Sequence, residues 1–117
     1  MPVKFALARI ILFAPDVPKT VAFYQALFGL PVIGDADDAD FVELDAGGCR
    51  LAVHRGAAAA GAGRTPKIVF RAQNIEDERE RLIAKGVRVG GIMRADAFAF
   101  FDARDPAGNV FQISSRP

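Results

Sequence analysis

Histidine and cysteine, the side chains that most often bind zinc or act as nucleophiles, each occur once, at His54 and Cys49. A zinc site of the usual kind takes three or four such ligands, so one chain cannot assemble it. Cysteine–histidine catalysis would have to use this single pair, and no serine–histidine–aspartate order surrounds His54. We therefore interpret Cys49 as an unreactive thiol and His54 as a structural or ligand-contacting residue.

Two cations lie inside apolar stretches, Arg9 in the first half of the chain and Lys67 in the second. Arginine can hold a carboxylate or phosphate through two parallel N–H groups, and lysine supplies a compact positive charge. Both residues therefore favour a small anionic ligand. The alternative is that protein carboxylates such as Glu43 or Asp102 neutralise them, because a cation in an apolar setting needs a partner. The sequence leaves both alternatives open.

The composition is that of an ordinary globular domain, with 117 residues, 51% hydrophobic and 25% charged. This length predicts one domain. A formal charge of +1 creates no field that would attract nucleic acid or an acidic membrane surface. The single cysteine and an N-terminal stretch without signal-peptide features predict a cytoplasmic protein.

The first half of the chain predicts a strand, a helix and a hairpin. The apolar run Lys4–Ala14 predicts a buried strand, and the helix that follows has Asp16 as its N-cap and ends at Gly29. Phe41–Asp45 and Cys49–Arg55 flank a glycine-containing turn, which is typical of the two arms of a hairpin. The spacing of the apolar helix positions predicts one buried face, formed by Val17, Val21, Tyr24 and Phe28.

The second half repeats this order of elements. A strand is predicted over 66–72, followed by a helix that Asn74 caps and Gly86 ends. Further strands are predicted over 87–89, 98–101 and 110–114. The apolar face of the second helix is predicted to consist of Ile75, Leu82 and Ile83.

Matching features of the two halves recur at a nearly constant distance. The two N-caps lie 58 residues apart, the two helix-ending glycines 57, and the turns before the closing strands 60. One helix cannot cover both faces of a small sheet, so two such modules are expected to pair within or between chains. We predict an α+β fold, with residues 1–117 forming a single domain of two tandem βαβββ modules. The modules span about 3–56 and 65–116, and a flexible connection at 57–64 joins them.

Two segments at opposite ends of the chain resemble one known superfamily. Residues 13–30, with Phe23-Tyr24 and Leu27-Phe28-Gly29-Leu30, are similar to the opening strand, capped helix and FY…LFGL signature of the vicinal oxygen chelate superfamily. That superfamily includes glyoxalase I, extradiol dioxygenases, fosfomycin-modifying enzymes and bleomycin resistance proteins. Residues 101–113, with the turn Asp105-Pro106-Ala107-Gly108-Asn109, resemble its C-terminal hairpin. The resemblance implies curved mixed sheets that enclose a cup-shaped cavity, but it does not fix an activity.

Metal-using members of this superfamily place four ligands on strands that face the cavity, commonly His or Gln early in each module and Glu in its last strand. By the resemblance, these positions correspond to Arg9, Ala52, Lys67 and Gln112. Two cations, a methyl group and one amide are not a set that binds a divalent ion. We therefore expect no metal ion and no other cofactor. His54, two residues after Ala52, would replace it if the register differed.

Strand alternation selects the candidate ligand-binding residues, because every second residue of a strand lies on the same face. The face that holds the two buried cations combines apolar side chains with a few hydrogen-bond donors, as in pockets for small organic ligands. Phe98, Phe100 and Phe101 place rings on both sides of one strand, so one of them is expected to line the cavity. The predicted ligand-binding residues are Arg9, Phe13, Arg50, His54, Lys67, Phe100 and Gln112.

We predict a glyoxalase/bleomycin resistance-like protein that binds a small anionic or aromatic molecule in the sheet cavity without a metal. Two alternatives stay open: a metal-dependent lyase, isomerase or dioxygenase, and a non-catalytic assembly or regulatory module with a vestigial cavity. The sequence does not identify the ligand, and it leaves catalysis undecided. Open sheet edges predict a homodimer in every case, whereas neither nucleic acid nor a membrane is expected as a partner.

Overall fold

The computed structural model of the protein describes residues 7–58 and 66–117. The chain divides into two compact units, Met1–Ala59 and Ala60–Pro117, called the first and the second module below. Each has one helix and one four-stranded sheet in βαβββ order, as predicted. From residue 59 onward, the flexible connection predicted at 57–64 lies outside the described residues. In the described part of the chain, neither helix is long and apolar enough to cross a membrane.

The elements of the first module are β1 (Arg9–Ala14), α1 (Val17–Phe28), β2 (Val32–Ile33), β3 (Phe41–Asp45) and β4 (Arg50–Arg55). Its sheet has the strand order β1-β4-β3-β2. Strand β1 pairs with β4 in parallel, and the other pairs are antiparallel. The predicted first strand is shorter than expected, since it starts at Arg9, and residues 4–6 lie outside the described part.

The elements of the second module are β5 (Ile68–Arg71), α2 (Ile75–Ala84), β6 (Met93–Arg94), β7 (Ala99–Arg104) and β8 (Val110–Ser114). They repeat the topology of the first module with the order β5-β8-β7-β6, and β5 pairs with β8 in parallel. The strand predicted over 87–89 is wrong. Only Val89 pairs there, in an isolated bridge to Ala103, and the edge strand β6 forms further along the chain.

Both helices begin at the residues that the sequence predicts. The Asp16 carboxylate accepts the Lys19 backbone N–H at 3.1 Å, and the Asn74 side chain accepts that of Asp77 at 3.1 Å. Helix α1 ends at Gly29, whose φ of 64° lies in the left-handed region that favours glycine. These contacts satisfy backbone groups that a helix end leaves without an intrahelical partner.

Each helix packs on one face of its own sheet and forms a small core there. In the first module, Tyr24 is fully buried with Leu44, Leu51 and Val53. The face predicted for the second helix is partly wrong, because Ile83 is 48% exposed while Ile75 and Leu82 are buried. A residue one position beyond Leu82 is rotated by about 100° around the helix axis, away from the sheet. The second core also contains Phe101, Phe111 and Ile113.

Among the described residues, the opposite face of each sheet carries exposed large apolar side chains and no helix of its own module. Ile11 and Phe13 are exposed on β1, and Val69 is exposed on β5. The residues that alternate with them along each strand are more buried. Below, this side is called the open face of each module.

Candidate functional site

The open face of the first module is built from three cross-strand rows on β1, β4 and β3. Residues directly opposite each other share a face, so each row presents three side chains on the same side of the sheet. The charged row lies at one end, the aromatic row at the other, and the middle row between them. The rows are Arg9–Arg50–Asp45 (charged), Ile11–Ala52–Glu43 (middle) and Phe13–His54–Phe41 (aromatic).

Two arginines converge on one carboxylate in this face. Arg9 donates Nε–H to Glu43 Oε2 at 3.0 Å, and Arg50 donates an Nη1–H to Glu43 Oε1 at 3.4 Å. Glu43 is the most enclosed of the three, with 17% of its side chain exposed against 42% for Arg9 and 44% for Arg50. Asp45, the third residue of the charged row, accepts the Gly47 backbone N–H at 2.9 Å instead. Glu43 therefore holds both guanidinium groups at the open face.

This arrangement keeps Glu43 ionised. The hydrogen bond from Arg9 is the largest effect that lowers the pKa of Glu43, and the charges of Arg9 and Arg50 add to it. Partial desolvation of the carboxyl acts in the opposite direction but does not outweigh these contacts. The pKa of Glu43 thus lies below its ordinary value, and Glu43 is an anion at neutral pH.

The open face of the second module has a similar pair at the corresponding place. Lys67 Nζ lies 2.7 Å from Asp102 Oδ2, and Gln112 donates an Nε2–H to Asp102 Oδ1 at 3.0 Å. Burial acts to raise the pKa of Asp102, but the hydrogen bonds from Lys67 and Gln112 together lower it further, with the Lys67 and Arg104 charges adding to them. Its pKa therefore lies below the ordinary value. Here one cation and one neutral amide share the carboxylate.

The structure places the seven predicted ligand-binding residues in two groups. Of these, Arg9, Phe13, Arg50 and His54 share the open face of the first module. The other three belong to the second module: Lys67 and Gln112 both contact Asp102, and Phe100 pairs with Ser114 across β7 and β8. Of the two alternatives left open for the cations, the structure shows pairing with carboxylates, Arg9 with Glu43 and Lys67 with Asp102. Whether any of the seven residues binds a ligand stays a prediction.

Sequence reasoning missed Phe41 as a member of the site. Phe41 lies directly opposite His54, and their ring centroids are 5.8 Å apart. The predicted hairpin returns at Cys49, which would pair residue 45 with 49 and residue 41 with 53. In the structure Asp45 pairs with Arg50 instead, and this shift by one residue places Phe41 opposite His54.

The four positions at which the resemblance places metal ligands do not fit a divalent ion. Ala52 has only a methyl group, Arg9 and Lys67 are cations, and each cation is bonded to a carboxylate. Ala52 lies opposite Ile11, just as Gln112 lies opposite Val69, so the two residues occupy equivalent places in their modules. The remaining donor, the Gln112 amide oxygen, would have to bind an ion next to the Lys67 ammonium group.

A separate cavity of about 310 Å³ lies in the second module, at the start of α2 and the β6–β7 turn. Arg94 forms an ion pair with Glu76 in its wall, and Phe98 lines it together with Ser115. None of the seven predicted ligand-binding residues lines this cavity. It is therefore distinct from the open faces.

Several solved structures have a similar fold. Lactoylglutathione lyase from Agrobacterium tumefaciens is 22% identical, with a TM-score of 0.75 over 97% of this chain and 95% of that one. A mutant of the fosfomycin resistance protein FosX from Listeria monocytogenes, complexed with Mn(II) and a dihydroxypropylphosphonic acid, is 20% identical, with a TM-score of 0.82 over 96% and 90%. At these identities the likeness concerns the fold alone. Curated protein sequences gave no significant match.

The sequence itself matches a family model over residues 6–113. That range includes both modules and both segments on which the resemblance to the vicinal oxygen chelate superfamily depends. Similar architecture in the solved structures agrees with the match. The chain therefore belongs to the Glyoxalase/Bleomycin resistance protein/Dioxygenase superfamily.

Proposed function

We propose that this protein binds a small anionic or aromatic molecule on the open face of its first module, without a metal ion. The observation that carries the proposal is the convergence of Arg9 and Arg50 on Glu43. Each guanidinium has five N–H groups and gives one of them to Glu43. Within the described part of the chain, the others have no protein partner, and both side chains are more than 40% exposed.

Charge-assisted hydrogen bonds from a fixed guanidinium are a strong way to hold a carboxylate, phosphonate or phosphate. Glu43 fixes the two groups before the ligand arrives, which reduces the ordering cost of binding. The neighbouring Ile11 and Phe13 offer apolar contact for the rest of the molecule. Together these features support an amphipathic organic anion as the ligand.

Ligand-induced stabilisation of the purified protein tests this proposal. The protein is treated with EDTA, dialysed, and heated with increasing concentrations of acetate, benzoate or phenylphosphonate. At least one anion is expected to raise Tm in proportion to the logarithm of its concentration above Kd. In Arg9→Gln the same shift should require about 10- to 100-fold more anion.

Arg55→Gln is the matched control, because it removes the same charge from the neighbouring strand β4, at a residue that alternates to the other face of the sheet. Arg55 pairs with Asp40 at 3.5 Å, and both side chains are more than two-thirds exposed. This variant should keep the full ligand-induced shift. An absence of stabilisation by every anion, or an equal shift in Arg9→Gln, would refute anion binding at this face.

A metal-dependent lyase, isomerase or dioxygenase is a second candidate function. Its support is the similarity to lactoylglutathione lyase and to a FosX structure that contains Mn(II). The residues at the four expected ligand positions speak against it. Elemental analysis of protein purified without chelator decides between the two: stoichiometric manganese, nickel, zinc or iron would favour the enzyme.

The internal ion pairs Arg9–Glu43 and Lys67–Asp102 favour a third candidate, a non-catalytic assembly or regulatory module. In that case both cations serve the sheet alone. The thermal-shift experiment separates this function from ligand binding, since no anion would then stabilise the protein.

The homodimer and the cytoplasmic location stay part of our proposal. Strands β1 and β5 lie at sheet edges, which are suited to pairing with a second copy. Analytical ultracentrifugation should give twice the mass of 12.5 kDa.

A further inference from the structure

The aromatic row of the first module forms a continuous group of three rings. His54 on β4 lies directly between Phe13 on β1 and Phe41 on β3. The ring centroids are 5.5 Å apart for Phe13–His54 and 5.8 Å for Phe41–His54, with tilted and edge-on geometries. These distances are within the range in which aromatic rings attract each other. The row is therefore a cohesive patch rather than three independent side chains.

The orientation of the central ring is fixed by a hydrogen bond. His54 Nδ1 lies 2.7 Å from the Arg55 carbonyl oxygen. A carbonyl oxygen only accepts, so Nδ1 carries the proton and donates it. Since His54 is itself exposed, the imidazole is presented at the surface in a defined orientation.

Gly56 leaves the space that the Phe13 side chain occupies. A Cβ atom at position 56 would lie 2.9 Å from Cδ1 and 3.3 Å from Cβ of Phe13. Real Cβ atoms do not make contacts as short as the first, so any side chain here would displace Phe13. Phe13 packs against this glycine and still leaves 51% of its surface exposed.

The charged and aromatic rows are separated along the strands by a definite distance. Arg9 and Phe13 are four residues apart on one strand, which corresponds to about 13 Å. The middle row between them consists of Ile11, which is 44% exposed, Ala52, which is fully buried, and Glu43, whose carboxylate accepts from both arginines. The face thus presents two carboxylate-paired arginines at one end, the apolar side chain of Ile11 in the middle, and aromatic rings at the other end.

We infer that the ligand is an aryl-substituted organic anion, with a carboxylate or phosphonate joined to an aromatic ring through a short apolar spacer. This inference rests on the proposed function, because the anionic group is held by Arg9 and Arg50. The aryl ring packs on the row formed by Phe13, His54 and Phe41. The spacer lies over Ile11. The inference assigns a specificity role to the aromatic row that anion binding alone does not require.

Isothermal titration calorimetry with two matched acids tests the inference. The probes are 4-phenylbutyrate and 4-cyclohexylbutyrate, which have the same charge and chain length and differ in the aromatic character of the ring. Phe13→Leu keeps an apolar side chain but removes the ring. It should weaken 4-phenylbutyrate binding by about 3- to 10-fold and leave 4-cyclohexylbutyrate within about twofold.

Two further variants control the experiment. Gly56→Ala keeps Phe13 but displaces it, so it should reproduce the selective loss of 4-phenylbutyrate affinity. Phe23→Leu changes a phenylalanine of helix α1, which packs on the other face of the same sheet, and should have no selective effect. The Tm of each variant without ligand establishes that it is folded.

The outcomes separate this inference from the proposed function. If both acids bind and Phe13→Leu weakens them equally or not at all, the aromatic row does not select the ligand and the inference is wrong, while anion binding stands. If neither acid nor any other anion binds to the wild type, the proposed function and the inference both fail.

Discussion

The two modules share a scaffold but differ in what their open faces can offer a ligand. Arg9 and Glu43 of the first module correspond to Lys67 and Asp102 of the second, a cation and a carboxylate in the same relation to the sheet. The second donor to the carboxylate differs, since it is the cation Arg50 in one case and the neutral Gln112 in the other. Two cations thus donate hydrogen bonds to the carboxylate in the first module and one does so in the second.

The row at the far end of the sheet differs more. Phe13, His54 and Phe41 stand in the first module where the second has Arg71, Ser114 and Phe100. The topology and the paired carboxylate are therefore common features of the repeat. The combination of two guanidinium groups with an aromatic row belongs to the first module, and this is where we place the ligand.

The largest expected effect comes from removing one cation of each module in turn. Arg9→Gln should weaken the binding of an anion such as phenylphosphonate by about 10- to 100-fold, because a charge-assisted hydrogen bond contributes about 1.5–3 kcal/mol. Lys67→Gln should change Kd by no more than about twofold, since Lys67 is already held in a one-to-one ion pair. Calorimetric titration of both variants measures this difference. Equal losses would show that the modules are not functionally distinct.

The next largest effect is expected from exchanging Ala52 and Gln112, which occupy equivalent places in the two sheets. Ala52 is 0% exposed, so Ala52→Gln forces a larger side chain into a filled position and should cost about 1–3 kcal/mol of unfolding free energy. Gln112→Ala removes one hydrogen bond to Asp102 and should cost about 1 kcal/mol. Urea denaturation measures both values. If Ala52→Gln leaves the unfolding free energy unchanged, the middle row has room for a long side chain.

Removing the helix caps should affect both modules alike. Asp16→Ala and Asn74→Ala each delete the acceptor for a backbone N–H at the helix start, with an expected cost of about 1 kcal/mol. In thermal unfolding this corresponds to a Tm lower by about 4 °C. Asp16→Asn retains an acceptor and serves as the control. If only one of the two alanine variants lowers Tm strongly, the equivalence of the two scaffolds is contradicted.

The smallest expected effect is on the pH dependence of stability. The pKa values of Glu43 and Asp102 are both lowered in the folded state, so their contribution is present above about pH 4 and is lost as the pH falls through the lowered values. Glu43→Gln and Asp102→Asn should therefore lose less stability than the wild type between pH 7 and pH 3. Urea midpoints at the two pH values measure the difference. Because these groups are solvent-accessible, 1 M salt should reduce it.

Much of the fold could be predicted because its signals are local. The caps Asp16 and Asn74 and the glycine after α1 mark helix ends by their own backbone chemistry. The two-residue strands β2 and β6 could not be predicted, since so short a segment has no periodicity. Their positions depend on pairing with β3 and β7, which is a property of the folded sheet.

The candidate site was predicted less completely. Strand alternation identified the faces of Arg9, Phe13 and His54, because the side-chain period of a strand is fixed. Alternation alone does not fix the register of a hairpin, so Phe41, which pairs with His54 in the observed register, was missed. The partners of the cations could be named as Glu43 or Asp102, but only the register assigns one carboxylate to each.

The most direct test of the account is to observe the arginine side chains during ligand binding. In NMR spectra of ¹⁵N-labelled protein in EDTA, titration with 4-phenylbutyrate should shift the Nε–H signals of Arg9 and Arg50 together with the backbone amides of β1 and β4. If these signals stay fixed, and binding is seen only after Mn(II) or another divalent ion is added, the proposal of metal-independent binding at the first module is contradicted.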